Sequence, residues 1–148
     1  MRLALYNPDI PQNTGTLMRL CACLGVGMDV IEPCGFLLTD KNLKRAGMDY
    51  LDHLDWTRHQ SWDAFRAATA GRRLVLMSTR AAVAYTAFEF NGNDILLAGR
   101  ESAGVPDNVR AACDAAVYVP MQAQTRSLNV AVATAMILGE ALRQTSSG

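Results

Sequence analysis

Leu96-Leu-Ala-Gly-Arg-Glu-Ser-Ala-Gly-Val-Pro106 decides how the rest of the chain folds. An apolar run from Asp94 to Ala98 reads as a short buried strand. It breaks at Gly99, passes through a small polar loop to Gly104, and meets a proline suited to the first position of a helix. Strand, glycine-bounded turn and helix together make half of an alternating α/β unit. The same alternation extends both ways. Arg73–Ser78 precedes as a strand, Ala116–Val119 follows as another, and a long helix over about Leu128–Arg143 closes the chain ahead of a frayed Thr145–Gly148 tail. Towards the N-terminus, Leu3–Tyr6 is a strand stopped by Asn7-Pro8. A helix from about Pro11 to Gly25 follows, with Leu17, Leu20, Cys21 and Leu24 on one face. Met28–Ile31 is a second strand, closed by Pro33 and Gly35. A short helix near Thr39–Gly47, capped by Thr39 or Asp40, a strand over His53–Trp56 and an amphipathic helix over Ser61–Ala70, ended by Gly71, complete the pattern. The expectation is a single α/β domain over residues 1–148, its mainly parallel sheet covered by helices on both faces.

The chain has 148 residues, half of them hydrophobic, enough to bury a sizeable core. Fourteen basic and fourteen acidic side chains cancel to a net charge of zero. That balance counts against a broadly basic nucleic-acid binder and leaves room for a local basic patch. Met1–Tyr6 runs into Asn7-Pro8 too soon for a signal-peptide core, and no apolar stretch is long enough to span a membrane. Cys21, Cys23, Cys34 and Cys113 follow no usual zinc spacing, and neither His53 nor His59 lies at a ligand-like interval from them. Reduced, mostly buried thiols of a cytoplasmic protein, with no metal, are expected.

Ligands of parallel α/β sheets bind beyond the carboxyl ends of the strands, and three such segments stand out. In Asn7-Pro-Asp-Ile-Pro-Gln-Asn-Thr-Gly-Thr-Leu-Met-Arg19, the residues Gln12, Gly15, Thr16 and Arg19 share one helical face, opposite the leucines. That face is either solvated or cleared for something bulky and anionic. In the second segment Gly99 and Gly104 have phosphate-loop spacing, but Val105-Pro106 stands where Lys-Ser/Thr is required. No GxGxxG occurs either, so the usual nucleotide fingerprints fail. What remains is a tight turn, or a loop bringing backbone and Glu101 close to a ligand. The third runs from Val117-Tyr-Val-Pro-Met121 through a polar loop to Ser127-Leu-Asn129, where Ser127 is a plausible N-cap. The helix after it is apolar almost all round. Its Ala131, Ala135 and Gly139 form a small-residue stripe, fitting either an interior helix or one shared with a second subunit.

Together the three segments resemble the SPOUT superfamily of RNA methyltransferases, in particular the small tRNA 2′-O-methyltransferases that act at the anticodon wobble nucleotide. Asn7-Pro-x-x-Pro-x-Asn-Thr-Gly-x-x-x-Arg19 is similar to that family's first motif and Gly99-x-Glu-x-x-Gly-x-Pro106 to its second. Pro120-Met with Arg126-Ser-Leu-Asn129 and Glu140-Ala-Leu-Arg143-Gln is similar to its third. Arg45-Ala-Gly-Met-Asp-Tyr50 resembles a stretch of the wobble-modifying branch. The resemblance implies a C-terminal trefoil knot, a homodimer, tRNA as substrate and S-adenosylmethionine as methyl donor. It implies a donor pocket made of Met77, Ser78, Thr79, Gly99, Glu101, Gly104, Val119, Met121, Ser127 and Leu128. It also gives Arg19 the central part in catalysis, with Ser127 and Asn129. An arginine is a poor base, so its expected role is to hold a phosphate and stabilise the developing alkoxide. Lys41, Lys44 and Arg45, with Arg19, are the candidate RNA contacts.

Overall fold

The computed structural model describes residues 1–39, 41 and 51–146. Its elements run β1 (Arg2–Tyr6), α1 (Pro11–Leu24), β2 (Gly27–Ile31), β3 (Trp56–His59), α2 (Trp62–Ala68), β4 (Leu74–Met77), β5 (Val83–Ala84), β6 (Ile95–Ala98), α3 (Asp107–Ala112), β7 (Ala115–Tyr118) and α4 (Val130–Thr145). The strands form one seven-stranded sheet in the order β3-β2-β1-β6-β4-β7-β5, and every pairing is parallel. Side chains alternate across each strand. Leu3 and Leu5 therefore join Leu96 and Ala98 on one face, against Leu17, Met18 and Cys21 of α1 and Ile137, Leu138 and Ala141 of α4. Ala4, Ile95 and Leu97 face the other way, against Phe65 of α2 and Val109 of α3. Both faces are covered, as a parallel sheet requires.

Several local expectations are corrected. The strand expected over His53–Trp56 lies at Trp56–His59, because Leu51–His53 is a 3₁₀ turn and Trp56 is the residue that pairs with Met28 of β2. The buried stripe of α1 is Thr14, Leu17, Met18 and Cys21, whereas Leu24 is 45% exposed. Gly15 is buried, so it does not share the exposed face of Gln12, Thr16 and Arg19. Pro106 is the N-cap of α3, with extended ψ, not its first helical residue. Thr145 is not frayed but helical, its hydroxyl donating to the Ala141 carbonyl. Cys23 is exposed and Cys34 and Cys113 are half-buried, so only Cys21 is fully enclosed. Burial pushes the thiols of Cys21, Cys34 and Cys113 up, to about 12, 11 and 11. The short helix expected near Thr39–Gly47 falls largely outside the described residues, as do Lys44 and Arg45. Among the described residues no helix is long and apolar enough to cross a membrane, and no group of three or more His, Cys, Asp or Glu is placed to hold a metal ion.

The edge of the sheet away from the motifs is fastened by charge. Buried Asp29 on β2 accepts from Arg2 Nε and pairs with His59 Nε2, each at 2.8 Å. Arg2 also reaches exposed Asp55, at 2.8 Å. Removing Asp29 strands buried His59 and takes the main partner from half-buried Arg2, whereas removing Asp55 exposes nothing. Asp29→Ala should cost about 3–5 kcal/mol and Asp55→Ala no more than about 1 kcal/mol. Urea denaturation of the two variants checks this, and equal losses would contradict it.

Candidate active site

Three neighbouring strands end level with one another. Met77 at the end of β4 stands opposite both Ala98 of β6 and Val117 of β7. The segments that follow them therefore leave the sheet from one edge, where ligands of parallel sheets bind. Between them and α4 lies a cavity of about 540 Å³, within the range of small-molecule sites. Met77, Ser78, Thr79, Gly99, Glu101, Gly104, Val119, Met121, Ser127 and Leu128 all line it, so the ten residues implied for the donor pocket are brought together.

Its middle wall is a closed hairpin. Arg100 and Gly104 exchange both backbone hydrogen bonds, at 2.9 and 2.8 Å. Gly104 has φ +67°, and a Cβ on Gly99 would sit 2.8 Å from the Gly104 backbone. The two glycines thus serve different needs: one a left-handed turn, the other close backbone approach. The tip between them is tied to the loop after β1. Asp9 N–H donates to Glu101 Oε2 at 3.1 Å, and the Ser102 hydroxyl donates to the Asp9 carboxylate. Burial, and then the neighbouring Asp9 carboxyl, push Glu101 above the usual carboxylate range. Asp9 moves the other way, through its hydrogen bonds with Glu101 and Ser102. Of the pair, Glu101 holds its proton to higher pH.

The far wall is the entry to α4, and here the capping expectation is corrected. Asn129, not Ser127, is the N-cap: its Oδ1 accepts from Ala131 N at 2.8 Å and Val132 N at 3.3 Å. Its Nδ2 donates to Asn13 Oδ1 of α1 at 3.1 Å, locking the amide in one orientation. Ser127 lines the cavity without capping the helix. Arg19, two turns beyond Asn13, is exposed and does not line the cavity. Lys41 is also exposed.

The sequence reading missed several lining residues: Ile10, Asn13, Arg80, Arg110 and Thr134. Asn13 was in plain view inside the first motif, but nothing in the sequence shows that it faces Asn129. Thr134 and Arg110 lie on helical faces that read as core and surface. Three lining residues each carry a buried polar atom without a hydrogen-bond partner: Thr134 Oγ1, Arg100 Nε and Arg110 Nε. Buried polar groups are nearly always satisfied, so three residues of the cavity wall hold hydrogen-bonding capacity that their present packing leaves unmet.

The comparisons with known proteins agree with this geometry. Residues 1–139 match the SpoU rRNA methylase family, and the chain belongs to it. A tRNA (cytidine(34)-2′-O)-methyltransferase of Beijerinckia indica is 62% identical, over 96% of this chain and 90% of its own. The Escherichia coli K12 protein of the same name is 38% identical, over 97% and 93%. A structure solved for insight into the 2-OH methylation of C/U34 on tRNA superposes with a TM-score of 0.90 at 42% identity, covering 97% of this chain and 94% of that one. The SpoU methyltransferase AviRb of Streptomyces viridochromogenes, in complex with the cofactor AdoMet, matches at a TM-score of 0.83 and 30% identity, covering 97% and 60%.

The hairpin gives a direct test. Gly104→Ala meets nothing within 4 Å and should cost only its left-handed backbone, about 1–2 kcal/mol. Gly99→Ala must move backbone and should cost more. Denaturation midpoints in the reverse order would refute this account of the turn.

Proposed function

We propose that the protein transfers a methyl group from S-adenosylmethionine to the ribose 2′-oxygen of the wobble nucleotide of a tRNA, in the cytoplasm. The observation that carries this reading is the convergence of ten residues from three separate segments on one cavity. Relatives named for that reaction, aligned over nearly the whole chain, support it. Three lining residues with an unmet polar atom suit a donor rich in hydrogen-bonding groups.

The donor supplies a methyl group already activated by its sulfonium charge, so the chain's own task lies with the acceptor. In this reading Arg19, outside the cavity wall, holds the phosphate beside the ribose and stabilises the developing alkoxide. Asn129 has both ends of its amide committed, to the start of α4 and to Asn13. It is therefore a fixed post beside which Ser127 orients the acceptor hydroxyl. Lys41, Lys44 and Arg45 extend the phosphate contacts. The reading includes a single domain over residues 1–148, the family's trefoil knot formed by the chain after β7, and a homodimer. The exposed strip of α4 supports the dimer. Val132 is 50% and Met136 40% exposed, beside exposed Ala135 and Gly139, while Ala131 is buried in the core. A contiguous apolar strip of this kind is suited to an isologous interface.

Incubation with labelled donor and bulk tRNA, followed by mapping of the modified nucleotide, tests the reaction itself. Absence of 2′-O-methylation would refute it. Arg19→Ala should leave donor affinity within a few-fold of wild type by calorimetry, while single-turnover transfer falls by roughly 100-fold. Joint loss of both would move Arg19 into the donor site. Sedimentation at micromolar concentration should give twice 16.1 kDa, and a monomer there would remove the dimer from the reading.

A further inference from the structure

One corner of the cavity carries donors that the local structure leaves unused. Arg110 lies in the last turn of α3 and reaches the end of β4, where its Nη2 donates to Ser78 Oγ at 3.2 Å. Ser78 Oγ also accepts from Arg80 N at 3.1 Å. A hydroxyl has two lone pairs and one proton. Both lone pairs are therefore occupied, and the Ser78 proton is left to donate. Arg110 Nε is wholly buried and has no partner. Both side chains line the cavity. A guanidinium and a free hydroxyl proton on two residues that line one cavity, the guanidinium without an ion pair among the described residues, make a receptor for an anion.

Resting on the donor reading above, we propose that Arg110 and Ser78 bind the α-carboxylate of the donor's amino-acid moiety. That carboxylate is the donor's only anionic group, and its two oxygens suit the fork of a guanidinium. The opposite charge is provided for in the same cavity. Glu101, on the hairpin tip, is the lining carboxylate available to the donor's cationic groups. Arg110 is thus a specificity-determining residue. It distinguishes ligands that carry the amino-acid carboxylate from nucleosides that lack it.

Two ligands that differ in that moiety isolate its contribution. S-adenosylhomocysteine carries the carboxylate, and 5′-methylthioadenosine keeps the nucleoside and sulfur without it. Calorimetry of each against wild type, Arg110→Gln and Arg110→Met reads the difference. Both variants should bind S-adenosylhomocysteine about 10- to 100-fold more weakly, the loss expected for a charged hydrogen bond. Both should bind 5′-methylthioadenosine within about twofold of wild type, and this retained affinity also reports an intact fold. Arg110→Gln keeps a donor for Ser78 Oγ, so its loss reports charge and not a collapsed corner. Equal weakening of both ligands, or of neither, overturns the carboxylate assignment and leaves the donor site standing. Failure of the wild-type protein to bind either ligand overturns the donor reading itself.

Discussion

The parallel register of β6, β4 and β7 is the constraint on which the site depends. Because Met77 pairs with Ala98 on one side and Val117 on the other, three chain segments distant in sequence leave the sheet at one height. β6 and β4 are short and almost entirely buried, and β7 buries Val117 in the core, so a slip by one residue would turn apolar side chains to the wrong face. Core packing thereby fixes the positions of the loops. The three loops that wall the cavity thus start from strands whose register is fixed.

The helices add the remaining wall, and the join between them is polar. One amide, Asn129, ends the loop, starts α4 and touches α1 through Asn13. The other end of α4 is anchored as specifically. Gln144 donates to the Phe88 carbonyl and accepts from Phe90 N, both at 2.8–2.9 Å. It also meets Glu140, which Arg143 holds through two bonds of 2.9 Å. The tail of the third motif therefore orients the helix whose N-terminus borders the cavity. Position at one end is set by bonds made about four turns away.

Much of this was legible in the sequence. Alternating strand and helix patterns pointed to the parallel sheet, and the family resemblance, not any spacing, named the ten residues that line the cavity. What failed was local and has common causes. Ser127 and Asn129 are equally good caps by residue type, and only the path of the loop selects the second. His53–Trp56 looked extended, but strand pairing begins at Trp56, where β2 offers a partner. Gly15 lies within the pattern of the exposed Gln12–Thr16–Arg19 face yet is buried, because the sheet and α4 claim a broader arc of α1 than the leucines outline. Asn13 and Arg110 were missed for another reason. Their partners, Asn129 and Ser78, are 116 and 32 residues away, and no spacing rule connects such pairs.

Net neutrality gains a different meaning once the charges have positions. Asp29 is committed to Arg2 and His59, Asp94 to Arg73 at 2.7 Å, and Glu32 to Arg58 at 2.9 Å. These pairs cancel within themselves and project little field. Arg80, Arg100 and Arg110 line the cavity instead, with Glu101 among them. At physiological salt, charges are felt over about 8 Å, so a ligand at this edge meets the local arrangement and not the chain's total. A zero sum over 148 residues is therefore compatible with an anion-seeking site. The sheet's pairs cancel within themselves, and at the cavity Arg100 meets Asp9 at 3.7 Å while Arg80 and Arg110 have no ion pair among the described residues.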